Sequence, residues 1–469
     1  RYVNVSNATP AAPFTNWSMA ATAIQPAIDA AASGDEILVA PGTYYLSGSE
    51  VNIPIQKALT LRSALSRAAV IDAQSLSRGM LVLGTNSWVE GFTVRGGRYG
   101  IGYGGGISIG RFAVVRDCLV TANASGAGGG IMVSGEATNA LVEDCTIEGN
   151  VATNGPGGGV VLYANSHARV DRCVVTGNVA ATLGGGIWIQ EGGSVSNSRI
   201  VGNRALGDDG GGIYMSNEGS TNPATLVNCV IAGNVAAQYG GGVRSSGPAG
   251  TLSSVVNCTI VSNSAGQIGG GAFAYTTRFV NDVIYFNSAP TNANLDAHME
   301  VLSCIVSNCC TTSNYFWPNI TNAPAFVDAG AGDFRLATAS FCIDAGTTNG
   351  APRTDIEGNP RPRQGKAGVL STNCDMGACE YGFHFNEIRT TGTNEIQFKW
   401  DVEDRGIYRL QAATNAAGNP ATPLWENVTA FTNGGMPAGQ FLVHTQVVSH
   451  PVAMPDHALF RMLVSHTPF

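Results

Sequence analysis

Charge is scarce in this sequence. Asp, Glu, Lys and Arg make up 12% of its 469 residues, about half the share of an average soluble domain. A protein built on helices with solvated charged faces is therefore not expected. Lysine is nearly absent, occurring only as Lys57, Lys366 and Lys399. With a net charge of −8, the chain lacks the basic footprint that a nucleic-acid partner needs and a polybasic patch for anionic membranes. No apolar run reaches the roughly 18–20 residues that span a bilayer as a helix. Among the 11 cysteines no CxxC pair occurs, so the spacing of a structural zinc site is missing. The chain opens on Arg1 without a leader-like stretch. It reads as a mature exported protein, extracellular or at the cell surface, whose signal has been removed.

Glycine is abundant, with 61 residues. Seven triplets begin at Gly104, Gly128, Gly157, Gly184, Gly210, Gly240 and Gly269, spaced 24, 29, 27, 26, 30 and 29 residues apart. A second block recurs between them: Asp117-Cys118-Leu119-Val120-Thr121-Ala122-Asn123, then Asp144-Cys145-Thr146-Ile147-Glu148-Gly149-Asn150. It returns ending at Asn178, Asn203, Asn234, Asn263 and Asn287, and in degenerate form at Asn308. Two registers sharing one period identify a repeat architecture.

The chemistry of the repeat selects which one. Its apolar runs, such as Ile131–Val133 and Val160–Leu162, are too short and too β-branched for helices. Glycine and Gly-Asn steps supply tight or left-handed corners. Such strands can pair only with their equivalents in the coils above and below, so like residues stack about 4.8 Å apart. The expected fold is all-β: a right-handed parallel β-helix over 36–320, about eleven coils long. Asn123, Asn150, Asn178, Asn203, Asn234, Asn263 and Asn287 should form a structural ladder. Cys118, Cys145, Cys173, Cys229, Cys258 and Cys304 should stack as small buried hydrophobes.

Open solenoid ends template aggregation and need covers. Residues 1–35 predict an N-terminal strand and a capping helix over Met19–Ala32. Ser18 would be its N-cap and Gly34 its stop, with Ala23, Ile24, Ala27, Ile28 and Ala31 facing the first coil. Residues 321–383 are turn-rich. From 384 to 469, alternating runs at Glu395–Trp400, Ile407–Ala413, Phe441–Val448 and Ala458–Val464 predict a small C-terminal β-sandwich domain. Cys309, Cys310, Cys342, Cys374 and Cys379 could supply a disulfide, whose pairing spacing alone leaves open. Strands near Tyr2–Val5 or Phe460–Val464 could add to a neighbouring copy, giving a homo-oligomer or head-to-tail fibre.

The glycine-led, asparagine-ended repeat resembles those of chlamydial polymorphic outer-membrane proteins and is similar to the wider pectate-lyase-like β-helix superfamily. The stretch from Pro324-Ala325-Phe326-Val327-Asp328 through Cys342-Ile343-Asp344-Ala345-Gly346 to Asp375-Met376-Gly377 and Glu380 resembles the choice-of-anchor domain of large secreted β-helix proteins. Together these resemblances cover roughly residues 1–383. They imply the fold and secretion, and leave adhesins, surface proteins, polysaccharide lyases and hydrolases as activities.

A hydrolase on such a scaffold would need clustered carboxylates, and Asp208-Asp209 is the paired aspartate of the coils. A lyase would need a base and a group neutralising a uronate, by calcium or arginine. Arg172 and Arg199 fall near equivalent repeat positions and would face one groove as a polysaccharide contact. Asp344, Asp355 and Asp375 are candidate calcium ligands; no other cofactor is implied. Sequons at Asn4, Asn7, Asn16, Asn123, Asn319 and Asn427 could carry glycans. Because coil lengths vary little and hold no recognisable acid–base set, the sequence favours a non-enzymatic surface or adhesive protein over a carbohydrate-active enzyme, with no catalytic residue assigned.

Overall fold

The computed structural model describes residues 1–362 apart from the short segments 136–138, 164–166, 218–221, 249–250, 299–303, 314 and 316–317, together with residues 373–381 and six strands beyond 384. Two compact units are present. The first comprises Arg1–Leu336, Ser340–Pro362 and Asn373–Glu380; the second comprises Ala337–Ala339, Arg363–Thr372 and Tyr381–Phe469.

The first unit is a parallel β-helix. One coil shows the plan: Ile131–Val133, Leu141–Glu143, Thr146–Glu148 and Val151–Ala152 follow one another around the core. Each joins a separate parallel sheet, here called I, II, III and IV in that order. Among the described residues these hold ten, twelve, eleven and seven strands. Registers stay aligned from coil to coil, as in Ile131↔Val160↔Ile187 and Ile147↔Val175↔Ile200. The sequence reason is the period-2 alternation. Val142, Val170, Val195 and Leu226 point inward and are fully buried, as are Ile147, Val175, Ile200 and Ile231, while the residues beside them on sheets II and III face out.

The corner between sheets III and I joins the two registers of the repeat. The first glycine of each triplet has φ between +61° and +71°, where a Cβ is strained. The second and third are excluded by contact. At Gly158 a Cβ would lie 2.4 Å from the Gly185 carbonyl, and at Gly159 it would lie 3.0 Å from the Asn178 amide. Against this glycine wall run the asparagines. Asn150 Nδ2 donates to Asn178 Oδ1 (3.0 Å) and to the Val120 carbonyl (2.9 Å), while its Oδ1 accepts from both the backbone N–H and Nδ2 of Asn123. Every polar atom of the buried side chain is thus satisfied.

The lower end of this ladder differs from expectation. After Asn287 the next rung is Asn294, whose Oδ1 accepts from Asn287 N and Nδ2 and whose own Nδ2 reaches Thr312. Asn308 stands instead at the corner between sheets II and III. It has φ +53° there, in one column with Asp117, Asp144, Arg172, Asn197, Asn228, Asn257 and Asn281. Asparagine suits both positions, because it tolerates left-handed backbone as readily as it ladders. Residue identity therefore did not separate them.

The sulfur column needs a similar correction. Cys118 N donates to Cys145 Sγ (3.4 Å), Cys173 N to Ser198 Oγ, Cys229 N to Cys258 Sγ, Cys258 N to Asp282 Oδ1, and Asp282 N to Cys309 Sγ. Cys309, not Cys304, continues the series. Cys304 lies before the strand Ile305–Ser307 and caps the Ala274 carbonyl. All eleven cysteines are buried free thiols, and burial pushes Cys118, Cys145, Cys258 and Cys309 well above the usual thiol range. No disulfide links the Cys309, Cys310, Cys342, Cys374 and Cys379 group.

The upper cover is shorter than predicted. The helix α1 spans Ile24–Ala30 and has no side-chain cap. Pro26 decides this: lacking an N–H and clashing with the carbonyl four residues back, it is tolerated only in a first turn, so no helix can run from Met19 through it. Residues Trp17–Met19 form a 3-10 turn capped by Asn16, not Ser18. Ile24, Ala27, Ile28 and Ala31 are buried as expected, but Ala23 is exposed. Lys57 Nζ donates to the Ile28 and Asp29 carbonyls at the helix C-terminus (2.6 and 2.9 Å), a cation placed where the helix dipole favours it. Tyr2–Val3 pairs with Leu38 and Val39 as the first strand of sheet II. Its outer edge is taken up by Phe14 and Ala21, so this strand has no open edge for a neighbouring copy.

Residues 340–362 and 373–380 lie against the lower coils. Asn228 Nδ2 donates to the Thr354 carbonyl, Asn257 Nδ2 to the Asp375 carbonyl and Asn281 Nδ2 to the Thr347 carbonyl. Where the upper corners carry Asp117, Asp144 and Arg172, the lower ones carry amides that grip this strap. Its interior holds a fully buried ion pair, Arg361 with Glu380.

The second unit contains two antiparallel three-stranded sheets. One pairs Phe385–Gly392, Glu395–Val402 and Leu442–Ser449; the other pairs Leu424–Thr432, Ile407–Thr414 and Leu459–Ser465. The strands at Phe385 and Leu424 add to the four expected. The last strand is thus paired within its own chain. Lys366 falls outside the described residues.

Candidate functional site

Sheet I points every second residue outward, and one outward column reads Leu81, Ser108, Met132, Val161, Trp188, Tyr214, Arg244, Phe273 and Asp296. No two successive coils share a residue here. In the last four coils the column and its flanks converge. The Arg244 guanidinium carbon sits 4.6 Å from the centre of the Phe273 ring, 4.9 Å from Tyr275 and 5.8 Å from Tyr214. Its Nε lies 3.2 Å from Asp209 Oδ2. Tyr239 stacks on Phe273 at 5.0 Å, and His298 packs against Tyr275 at 4.3 Å, with Nε2 3.5 Å from Asp296 Oδ1.

The electrostatics of this cluster are those of a locked cation. Arg244 is only 8% exposed, sandwiched by π-faces that attract it and paired to a carboxylate. Burial pushes the Asp209 carboxyl above its ordinary value, and the Arg244 charge pulls against that shift. The partly exposed members are Tyr239, Tyr275, Asp296 and His298. They present flat aromatic surface with polar atoms at its rim, which suits stacking against a ring bearing hydroxyls.

Of the residues singled out from sequence, Asp209 belongs to this cluster. Its neighbour Asp208 accepts from the Gln238 side chain at 3.1 Å in the adjoining coil. Arg172 and Arg199 are not equivalent. Arg172 occupies the left-handed corner with φ +50° and is ion-paired to Glu143 (2.6 Å), Asp144 (2.8 Å) and Asp171 (2.5 Å). Arg199 stands on sheet III, in register with Val174 and Val230. Unequal coil lengths explain the error, since fixed offsets drift by residues between repeats. The Arg172 hydrogen bonds hold Asp144 below the usual carboxylate range, a surface arrangement with small effect.

Asp344, Asp355 and Asp375 do not converge as a metal site. Asp355 accepts from the N–H groups of Glu357, Asn359 and Glu380, and Asp375 Oδ1 accepts from Asp344 N. Among the described residues no three His, Cys, Asp or Glu side chains are arranged to hold a metal ion. Two sequons are committed to structure: Asn123 to the buried ladder, and Asn319 to capping Cys309 N and the Val306 carbonyl.

Comparison with known proteins places the coils. Residues 64–200 match the family described as right handed beta helix region. The fold is a right-handed parallel β-helix. The crystal structure of pectate lyase Pel9A superposes with a TM-score of 0.54 at 16% identity, covering 81% of this chain and 97% of that one. The likeness concerns the fold alone. A cell surface glycoprotein of Methanothermus fervidus is 38% identical over 89 residues, or 18% of this chain; the chain spans only 14% of that protein's length. No helix among the described residues is long and apolar enough to cross a membrane.

Proposed function

We propose that this chain is a non-enzymatic, exported surface protein, in which the coils form a stiff scaffold and the lower outward face of sheet I contacts polysaccharide. The observation that carries the reading is the division of labour around each coil. The corner repeats Gly and Asn without variation, whereas the sheet I column changes at every coil and gathers Tyr239, Tyr275, Asp296 and His298 beside the locked Arg244. The relative from Methanothermus fervidus, a cell surface glycoprotein, supports a surface location. On this reading the choice-of-anchor-like strap of residues 340–362 and 373–380 clamps the lower coils, and the resemblance to polymorphic outer-membrane repeats fits an adhesive role.

A lyase is the second reading, favoured by the gathering of an arginine, tyrosines and a histidine on a fold shared with pectate lyase Pel9A. The two separate in one experiment. The full chain is incubated with polygalacturonate and alginate, with co-sedimentation and the ultraviolet absorbance of unsaturated ends as readouts. Retention without new absorbance is expected. Release of unsaturated product would replace the scaffold reading by the lyase, with or without added calcium deciding whether that ion takes part. Fibre formation through Tyr2–Val3 would require displacing the residues that already cover its edge.

A further inference from the structure

Sheet III carries an outward column of Leu119, Thr146, Val174, Arg199, Val230, Thr259 and Val283. Six of these are uncharged, and a cation enters in one coil only. At that level the chain after the coils folds back to form a wall. The hairpin of Phe326–Asp328 and Asp333–Leu336 turns through Gly332, at φ +79°, and the strap adds Glu357 and Cys379. Between them lies a cavity of about 270 Å³ lined by Arg199, Gly332, Asp333, Arg335 and Glu357 among others.

The charges within it are unevenly satisfied. Arg335 is held by Asp333 in a two-point ion pair, its Nη2 2.5 Å and its Nε 2.9 Å from the two carboxylate oxygens. Arg199 has neither a hydrogen bond nor an ion pair for its guanidinium among the described residues. A half-buried guanidinium has lost part of its hydration, and a planar anion restores it best, through two parallel N–H···O contacts. Burial opposes ionisation of Asp333, and Arg335 together with the nearby Arg199 charge outweighs this, so its carboxyl titrates below the ordinary value. The Arg199 charge is thus felt at Asp333, with the Glu357 carboxylate in the same lining.

We infer that the cavity between Arg199 and the Gly332–Arg335 turn is a binding site for a small carboxylate, with Arg199 as the anion's partner. Its volume lies just under the roughly 300–1,000 Å³ typical of drug-sized pockets, so it takes one acid of monosaccharide size. This site is separate from the sheet I face and stands whether or not that face binds polysaccharide.

The test is calorimetric titration of the full chain with D-glucuronate and, as a neutral twin, methyl glucoside. Glucuronate should bind and methyl glucoside should not. Arg199→Gln should weaken glucuronate binding by about tenfold or more, with its thermal unfolding unchanged. Arg199→Lys, which keeps the charge and loses the planar fork, should fall between. Arg278→Gln, on an exposed sheet II position, should bind as the native chain does. Failure of the native chain to bind glucuronate, equal binding of the neutral sugar, or unchanged affinity in both Arg199 variants would overturn the assignment. If Arg199→Gln does not fold, Arg199→Lys and the neutral twin still decide it.

Discussion

Within one coil, the corner and the outward face of sheet I obey opposite rules. At the corner the same residues recur over seven coils, because each side chain's partner is its own copy in the next coil. Any departure leaves two coils short of a hydrogen bond or drives a Cβ into backbone. Across the sheet I face the partners are rings and charges of unlike kind, and each coil differs from its neighbours. Repetition along a solenoid therefore marks the groups that hold the coils in register, and variation marks where the surface is free to contact something else.

The largest predicted effect would break that comparison at the corner. Asn178→Ala removes acceptors for Asn150 N and Nδ2 and a donor for the Ile147 carbonyl. Each orphaned buried group costs about 1–3 kcal/mol, so the loss should reach about 3–5 kcal/mol in denaturant unfolding. A drop under about 1 kcal/mol would mean that water or a shifted backbone replaces the ladder.

A second prediction concerns the one acid in the sulfur column. Asp282 is fully buried, and burial pushes its carboxyl well above the usual range despite N–H donors from Cys258 and Val280. Its folded pKa exceeds its unfolded one, so the folded state holds the proton more tightly. Stability from this site is then present below the unfolded pKa, near 4, and is lost as pH rises toward the folded value. Asp282→Asn should match the native chain at pH 4 and melt higher at pH 7. The same melting difference at both values would show that the carboxyl is not titrating this way.

A third prediction follows from thiol burial. The native chain should be inert to a thiol reagent at pH 8, and denaturation should release all eleven cysteines. Rapid reaction of several thiols in the native state would contradict the packed column. The smallest effect is expected on the upper corner. Arg172→Ala should cost under about 1 kcal/mol, since its three carboxylate partners sit at the surface. A larger loss would promote that cluster from decoration to support.

The contrast also explains what could be read from sequence. Columns that repeat an identity are visible as a period, and so the fold, the glycine wall and the asparagine rungs down to Asn287 were legible. Where one identity serves two geometries the reading slipped, as with Asn308 at a left-handed corner and Cys304 before a strand. The α1 boundary differs because the apolar periodicity runs back past Pro26, whose ring allows a helix only from its first turn onward. The Arg244 cluster is hidden in the sequence because its members come from four coils with different residue types, and Asp209 is its one sequence-predicted site residue. The Arg199 cavity was half legible: the arginine was singled out, but its wall comes from chain more than 130 positions later, docked through backbone groups that leave no pattern.

The central claim is tested most directly by two replacements five residues apart in the same coil. At Gly270 a Cβ would lie 2.3 Å from the Ser288 carbonyl, whereas Tyr275 sits on the sheet I face beside His298. Thermal unfolding and polygalacturonate co-sedimentation are measured on both full-length variants. Gly270→Ala should melt well below the native chain, while Tyr275→Ala should melt within a few degrees of it and lose retention on the polysaccharide. A Gly270→Ala protein that unfolds like the native one, together with a Tyr275→Ala protein that does not fold, would contradict the account.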